Sequence, residues 1–195
     1  MVRVDHFLDR PHAATVPNCT GVIVTGSHPG CGKSSVAFQA AMTATARGGV
    51  ALVLCSEAAL LRKLPRPRSS LEAAAADQLQ RIHFAYATSL SQVRRLLATV
   101  DCRPSVVLVE DDGLDDAGDA LAWLKTLAVL DATVRWLQSA AGGGLTDCCF
   151  VFVTNVHGGG RSALPFCQHA AELCVSSPWS FVVRPPFGQP IAVSF

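Results

Sequence analysis

The chain has 195 residues, of which 50% are hydrophobic and 16% are charged, and its net charge is +1. This length and composition suit one domain with a full-sized core. The near-neutral charge excludes nucleic-acid binding driven by overall basic charge, so any DNA contact has to come from local patches. The sequence has neither a signal-peptide core nor an apolar run of about 18 residues, and it therefore predicts no membrane segment. The eight cysteines form no C-x-x-C pair, which indicates buried thiols in a reducing compartment.

Short apolar runs alternate with longer helical stretches along the chain. In chain order the sequence predicts a strand over 21–25, a helix over 33–47, a strand over 50–55, a helix over 69–80 with Ser69 and Glu72 in capping-box spacing, a strand over 81–86, a helix over 89–100, a strand over 105–110, a helix over 117–141 and a strand over 149–155. Strands that are apolar on both faces and separated by helices indicate a mainly parallel sheet covered on both sides. We therefore expect a three-layer α/β fold.

The C-terminal part of the chain has a different pattern. From residue 171 onward, short and less periodic strands are broken by prolines, which predicts an antiparallel C-terminal edge of the sheet. No repeat or low-complexity linker divides the chain. We expect 1–195 to form a single domain, with 1–19 as an N-terminal extension and 171–195 as edge strands.

One apolar stripe runs along the long helix expected at 117–141. Its members recur at spacings of three and four residues and are Trp123, Leu127, Leu130, Val134 and Leu137. Such a stripe usually packs in the core. Trp136 lies off the stripe and is the better indication of a partner contact.

The segment GSHPGCGKSS, at 26–35, joins the first predicted strand to the first predicted helix. It matches the Walker pattern G-x-x-x-x-G-K-[ST] except at the first glycine, where Ser27 stands and Gly26 comes one place early. In such a loop backbone N–H groups bind phosphate, the lysine reaches the outer phosphates, and the hydroxyl binds magnesium. The sequence thus predicts a nucleotide and Mg²⁺ site, with Lys33 also catalytic, formed by Ser27, Gly30, Cys31, Gly32, Lys33, Ser34 and Ser35.

Carboxylates that can hold magnesium or activate water follow two other predicted strands. The stretch SVVLVEDD places the Walker B carboxylate at Glu110, and Asp111 is the next candidate. Together with Ser34, these residues form the expected magnesium site. Glu57 follows the strand at 50–55 and is the candidate general base for an attacking water, with an ordinary surface glutamate as the alternative.

The order of these parts resembles the ATPase core of the RecA/Rad recombinases. The resemblance covers 20–160 and rests on the glycine-rich loop, on LCSEA after the second strand, and on RIHFAY, SVVLVEDD and FVFVTNV. It implies a RecA-like P-loop core with ATP as the nucleotide. It also implies that Thr154 and Asn155 report on the nucleotide, Asn155 as a nucleotide-binding residue. Val156 stands where active recombinases typically have a glutamine.

Further stretches are similar to the short recombinase paralogues that partner a SWIM-domain zinc-finger protein in the metazoan Shu complex. These stretches are LQRIHFAY, PSVVLVEDDGL, LAVLDATVRW and DCCFVFVTNV. The resemblance implies a weak, DNA-stimulated ATPase of homologous recombination repair in the nucleus. Its implied partners are the SWIM-domain protein, the main recombinase and its paralogues, and single-stranded DNA, with no membrane. A heteromeric adaptor is favoured over a filament, because no F-x-x-A peptide precedes the glycine-rich loop.

Two basic stretches are candidate DNA contacts. The candidate residues are Arg62, Lys63, Arg66 and Arg68 in RKLPRPR, and His157 and Arg161 in the HGGGR loop. A solvated basic loop is the alternative interpretation of RKLPRPR. The acidic stretch from Glu110 to Asp119 repels phosphate and is a poor DNA surface.

Two other functions fit parts of the pattern. One is a structural RecA-like subunit without catalysis, although such subunits usually lose the phosphate-binding loop. The other is a P-loop small-molecule kinase, which needs an arginine-rich lid that is not visible over 110–150.

Overall fold

The structure is a computed structural model that describes residues 2–3, 15–16, 19–26, 28, 30–66, 74–139, 148–154, 170–177, 180–184 and 191–194. Its strands are β1 (Val2–Arg3), β2 (Thr15–Val16), β3 (Gly21–Gly26), β4 (Ala51–Cys55), β5 (Ile82–Tyr86), β6 (Val106–Glu110), β7 (Cys149–Val153), β8 (Ala170–Ser177), β9 (Ser180–Arg184) and β10 (Ile191–Ser194). Its helices are α1 (Lys33–Ala46), α2 (Glu57–Arg62), α3 (Ala76–Gln80), α4 (Leu90–Ala98) and α5 (Ala120–Ser139).

One eight-stranded sheet has the strand order β10-β9-β8-β3-β7-β6-β4-β5. The six strands from β3 to β8 pair in parallel. β9 pairs antiparallel with β8, and β10 pairs antiparallel with β9. β1 and β2 form a separate two-stranded pair. The expected α/β class with a mainly parallel sheet is therefore confirmed.

Central strands bury both of their faces. In β4, Val53 packs in the core that contains α1, whereas the neighbouring Leu54 packs in the core that contains α4 and α5. In β7, Val151 and Phe152 divide between the same two cores. Successive residues of a strand point to opposite faces, so a continuous apolar run fills both cores at once. The result is a sheet between two helical layers, as the apolar runs predict.

The long helix α5 packs on the sheet through the predicted stripe. The five stripe residues are all buried: Trp123, Leu127, Leu130, Val134 and Leu137. The Trp123 ring meets the Phe152 ring of β7 edge-on, with 5.8 Å between ring centroids. Trp136 lies off the stripe and is 59% exposed. The prediction of a core-packing stripe is confirmed. No helix in the described part of the chain is both long and apolar enough to span a bilayer.

The predicted helix over 69–80 is wrong at 74–75, which are described and not helical. α3 begins only at Ala76, after Ala75 in an extended conformation. The proposed cap of Ser69 and Glu72 falls outside the described residues. Because α3 has five residues, local propensity cannot hold it alone, and its contacts with α1 and β5 determine its position.

A short helix that the sequence pattern did not predict follows β4. The Ser56 hydroxyl accepts a hydrogen bond from the backbone N–H of Ala59 at 3.4 Å and so caps α2. This cap turns the chain at the carboxyl end of β4. Among the described residues of the expected basic loop at 62–68, only Arg62 is helical, as the last residue of α2.

Candidate functional site

A cavity of about 400 Å³ lies at the carboxyl ends of the parallel strands, where open α/β sheets bind their ligands. Its volume falls within the range of small-molecule sites. Three parts of the chain line it: the loop before α1 with the first turn of that helix, the end of α2 with the residues after it, and the end of β6. The lining residues are Gly30, Gly32, Lys33, Ser34, Ser35, Ala59, Lys63, Leu64, Pro65, Glu110 and Asp112.

We call residues 27–32 the glycine loop. The structure describes residues 28 and 30–32 of this loop. Gly30 has a φ of 81° and Gly32 a φ of 94°, a left-handed conformation that side chains with a Cβ rarely adopt. Gly32 directly precedes α1 and has no side chain that could cap the helix. The first N–H groups of a helix have no acceptor within the helix, so the start of α1 suits an anion.

Gly26, the glycine that comes one place early, ends β3 against the loop. A Cβ on Gly26 would overlap the Cys31 sulfur and would lie 3.3 Å from Cδ of Lys33. Cys31 is itself buried, and its N–H donates to the His28 carbonyl at 3.3 Å. The early glycine therefore lets the strand end pack closely on the loop. Ser27, the residue at the usual glycine position, lies outside the described residues.

The hydroxyl of Ser34 donates a hydrogen bond to the carboxylate of Glu110. Ser34 lies in the first turn of α1 and Glu110 is the last residue of β6, so this contact joins the helix start to a strand end. Burial raises the pKa of Glu110, and so does the negative charge of Asp112. The Ser34 hydrogen bond and the charges of Lys33 and Lys63 act to lower that pKa. Hydroxyl and carboxylate oxygens are the ligands that magnesium prefers.

The three acidic residues that end β6 have different environments. Glu110 lines the cavity, whereas Asp111 is only 1% exposed and is absent from the described lining. The backbone N–H of Asp111 donates to the Val153 carbonyl at 3.1 Å, which continues the pairing with β7 by one residue. Asp112 is exposed and lines the cavity. Of the two carboxylates predicted for magnesium, Glu110 is the one that lines the cavity and accepts the Ser34 hydrogen bond.

Glu57, the expected general base, is the first residue of α2 and is exposed. It is absent from the described lining of the cavity, where the only carboxylates are Glu110 and Asp112. Lys33, the other expected catalytic residue, lines the cavity and is 8% exposed. The structure thus brings Lys33 to Ser34 and Glu110 but leaves Glu57 on the surface nearby.

The basic stretch after α2 lies against the glycine loop. Lys63 lines the cavity, and its Nζ is 3.9 Å from the position that a Cβ on Gly30 would take. The backbone N–H of Arg66 donates to the Ser35 hydroxyl at 2.9 Å. We call residues 63–66 the bridging segment, because they connect the end of α2 to the first turn of α1. Lys63, Leu64 and Arg66 are also exposed, so the bridging segment is solvated as well as part of the cavity lining.

Other expected site residues lie outside the described residues. They are Asn155 for the nucleotide and Arg68, His157 and Arg161 for DNA. Thr154, the residue before Asn155, is described and buried. Its backbone N–H donates to the Val24 carbonyl at 3.0 Å, so the end of β7 lies beside the end of β3.

The acidic stretch after Glu110 supports two helix starts. The Asp116 carboxylate accepts hydrogen bonds from the backbone N–H groups of Leu90 and Ser91, the first residues of α4. The Asp119 carboxylate accepts one from the N–H of Leu121 at 2.9 Å, in the first turn of α5. Negative charge is favourable at a helix N-terminus. These aspartates therefore have structural partners.

Sequence reasoning missed five residues of the lining, namely Ala59, Lys63, Leu64 and Pro65 as pocket residues and Asp112 as a second carboxylate. Asp112 had a signal, because it directly follows the predicted strand end. The other four had none in the local pattern, since they reach the cavity only through the turn at α2. Within the described residues no cluster of three or more His, Cys, Asp or Glu could hold a metal ion. A magnesium ion there would need ligand atoms from phosphate or water besides the protein.

Comparison with known proteins adds no relative to this picture. No family model matches the chain, and no curated protein matches it either.

Proposed function

We propose that the chain binds Mg²⁺–ATP in this cavity, as a P-loop protein of the RecA-like type. The observation that carries the proposal is the hydrogen bond between Ser34 and Glu110, two residues 76 positions apart in the sequence. In P-loop NTPases the loop serine or threonine and a Walker B carboxylate hold the magnesium ion. The pairing of one such hydroxyl with one strand-end carboxylate is what that arrangement requires.

The other lining residues take complementary roles. The left-handed glycines and the start of α1 offer backbone N–H groups to phosphate oxygens. Lys33 is buried and lines the cavity, and in this proposal its ammonium group neutralises phosphate charge. Bound magnesium supplies further positive charge to the same phosphates. The protein thereby replaces the hydration of a strongly charged ligand.

Titration calorimetry of Mg²⁺–ATP tests the proposal on three proteins: wild type, Lys33→Ala and Lys125→Ala. Lys125 is an exposed lysine of α5, on the helical layer with α4 rather than that of α1, and it serves as the matched control. We expect wild type and Lys125→Ala to bind alike and Lys33→Ala to lose most of its affinity. Equal affinity in all three proteins contradicts the proposal.

ATP hydrolysis is a separate part of the proposal. We assign a weak, DNA-stimulated ATPase activity with Glu57 as the base that activates water. A positioned base contributes about 100- to 10,000-fold, so Glu57→Gln should retain ATP binding and lose turnover. The exposed place of Glu57, outside the described cavity lining, favours a second candidate function, in which ATP is bound without catalysis. ATP binding without turnover in wild type supports the second candidate, whereas equal measurable turnover in wild type and Glu57→Gln shows that Glu57 is an ordinary surface residue.

The cellular role follows the sequence resemblance. We propose a nuclear adaptor of homologous recombination repair that binds a SWIM-domain zinc-finger protein, the main recombinase and its paralogues. Support comes from the stretches that resemble recombinase paralogues and from the mainly parallel α/β sheet with a loop of Walker spacing. Affinity purification of the chain from cells tests this role. Recovery of a SWIM-domain protein is the expected result, and repeated purification without one argues against the adaptor.

Single-stranded DNA is the nucleic-acid ligand in this proposal. The candidate contacts are Arg62, Lys63, Arg66, Arg68, His157 and Arg161, which can neutralise only a few phosphates. Each phosphate contact on a single strand contributes a slope of about 0.7 to the salt dependence of binding. We therefore expect weak binding with a shallow salt dependence.

A further inference from the structure

The bridging segment forms the wall of the cavity that faces the glycine loop. Lys63, Leu64 and Pro65 all line the cavity. The segment is held at its far end by the hydrogen bond from the Arg66 N–H to the Ser35 hydroxyl, at 2.9 Å. Ser35 belongs to the first turn of α1, so the segment is fixed to the same helix start that the proposed phosphate site uses.

Lys63 differs from the other basic residues of its stretch in where its charge lies. Its ammonium nitrogen is 3.9 Å from the position that a Cβ on Gly30, in the glycine loop, would take. It also acts on Glu110 electrostatically, in the same direction as Lys33. Arg62 and Arg66 are exposed, and neither lines the cavity. Lys63 is therefore close to the glycine loop and within electrostatic range of the strand-end carboxylate.

The charges of the described cavity lining show what Lys63 contributes. The lining contains two lysines, Lys33 and Lys63, and two carboxylates, Glu110 and Asp112. With both lysines the four charges cancel. Without Lys63 the lining would carry a net negative charge, which opposes a polyphosphate ligand. One lysine does not compensate both carboxylates.

We propose that Lys63 is a second phosphate-binding lysine of the nucleotide site, positioned over the glycine loop by the bridging segment. This inference rests on the proposed function, and it moves Lys63 from the DNA surface to the nucleotide. A lysine suits the role because its flexible stem carries a compact charge with three donors. Lys63 is exposed and lines the cavity, so its ammonium group is accessible to a phosphate ligand.

If Lys63 were only a counter-ion for Glu110, different binding results would be expected. If Lys63 only neutralised Glu110, its removal would change the stability of the empty protein and would affect every ligand of the cavity alike. A phosphate-binding lysine instead contributes more as the number of phosphates rises. The comparison of ATP, ADP, AMP and adenosine therefore separates the two roles.

The experiment measures Mg²⁺-dependent affinity for these four ligands in wild type, Lys63→Ala, Lys63→Gln and Arg62→Ala. Arg62 is the adjacent, exposed cation outside the described lining and serves as the matched control. We expect both Lys63 variants to lose about 5- to 30-fold in ATP affinity, less for AMP and almost nothing for adenosine. Arg62→Ala should bind like wild type. Thermal melting of all variants checks that the fold is retained.

Three results overturn the inference. If the Lys63 variants bind ATP like wild type while Lys33→Ala does not, the inference is wrong and the proposed function stands. If Arg62→Ala weakens ATP binding as much as Lys63→Ala does, general charge and not Lys63 is responsible. If wild type itself binds no ATP, the proposed function and the inference fail together.

Discussion

At the scale of single residues, the carboxylate of Glu110 is half-buried and accepts a hydrogen bond from the hydroxyl of Ser34. Burial makes this position unfavourable for a negative charge and raises the pKa of the carboxyl. A divalent cation is the largest local charge that a site can receive, and it reverses this preference. The burial that makes a charged Glu110 unfavourable in the metal-free protein therefore favours magnesium binding at this carboxylate.

The raised pKa gives a pH-dependent stability prediction for Glu110→Gln in metal-free buffer. The folded protein holds the Glu110 proton more tightly than the unfolded chain does. The stability that Glu110 contributes is therefore full below its ordinary pKa of 4.5 and is lost as pH rises through the folded-state value. Glutamine keeps an acceptor for Ser34 without the charge. We expect the variant to have the higher free energy of unfolding at pH 7, with a difference that shrinks toward pH 4.

Urea unfolding across this pH range measures the difference, and Asp101→Asn is the control. Asp101 is exposed and precedes β6, so its variant controls for the removal of a surface carboxylate. A lower stability of Glu110→Gln at pH 7, or a difference that is constant with pH, contradicts the assignment of burial as the dominant cause.

At the scale of elements, specific contacts fix three connecting segments to their neighbours. These segments are the glycine loop, the bridging segment and the acidic stretch. The end of β3 at Gly26 packs closely on Cys31 of the glycine loop. The bridging segment is tied to α1 by the Arg66 to Ser35 hydrogen bond. The acidic stretch is tied to the start of α4 by Asp116. The cavity therefore depends on loop geometry fixed by few contacts.

Gly26→Ala tests the packing of the strand end on the loop. A methyl group there would overlap the Cys31 sulfur. Overpacking of this kind typically costs about 1–3 kcal/mol. We expect the variant to unfold more easily and to bind ATP more weakly, and we expect Cys31→Ala, added to Gly26→Ala, to recover part of both losses. A double-mutant cycle with no coupling between the two positions would show that the sulfur is not the obstacle.

Asp116→Ala tests the structural role of the acidic stretch. The variant removes the acceptor of two N–H groups at the start of α4, and loss of a helix cap costs about 1 kcal/mol. Asp115→Ala removes a similar charge from an exposed neighbour and should cost less. Chemical denaturation of both variants measures the difference. Equal stabilities would mean that charge alone, and not the cap, determines the effect.

At the scale of the whole molecule, much of the site follows from the order of strands. Apolar runs of about five residues predict parallel strands, and their carboxyl ends meet at one edge of the sheet. The expectation that Ser34 and Glu110 belong to one site follows from this arrangement. The spacing of GSHPGCGKSS predicts the loop because the loop is local in sequence.

The remainder of the site could not be predicted from local patterns. Lys63 reaches the cavity because Ser56 caps α2 and because Arg66 meets Ser35, a contact between residues 31 positions apart. Such a tertiary contact leaves no periodicity or spacing in the sequence. For the same reason a basic stretch that resembles a DNA surface contributes part of the cavity wall. The start of α3 was also missed, because its contacts with α1 and β5 determine where it begins.

The magnesium dependence of ATP affinity, measured in wild type and Ser34→Ala by titration with and without Mg²⁺, tests the central claim most directly. The Ser34 hydroxyl joins the first turn of α1 to the Glu110 carboxylate by a side-chain hydrogen bond. We predict that Mg²⁺ strengthens ATP binding in wild type and that Ser34→Ala loses this gain, while Lys125→Ala keeps it. An undiminished magnesium effect in Ser34→Ala, or no ATP binding by wild type, contradicts the account.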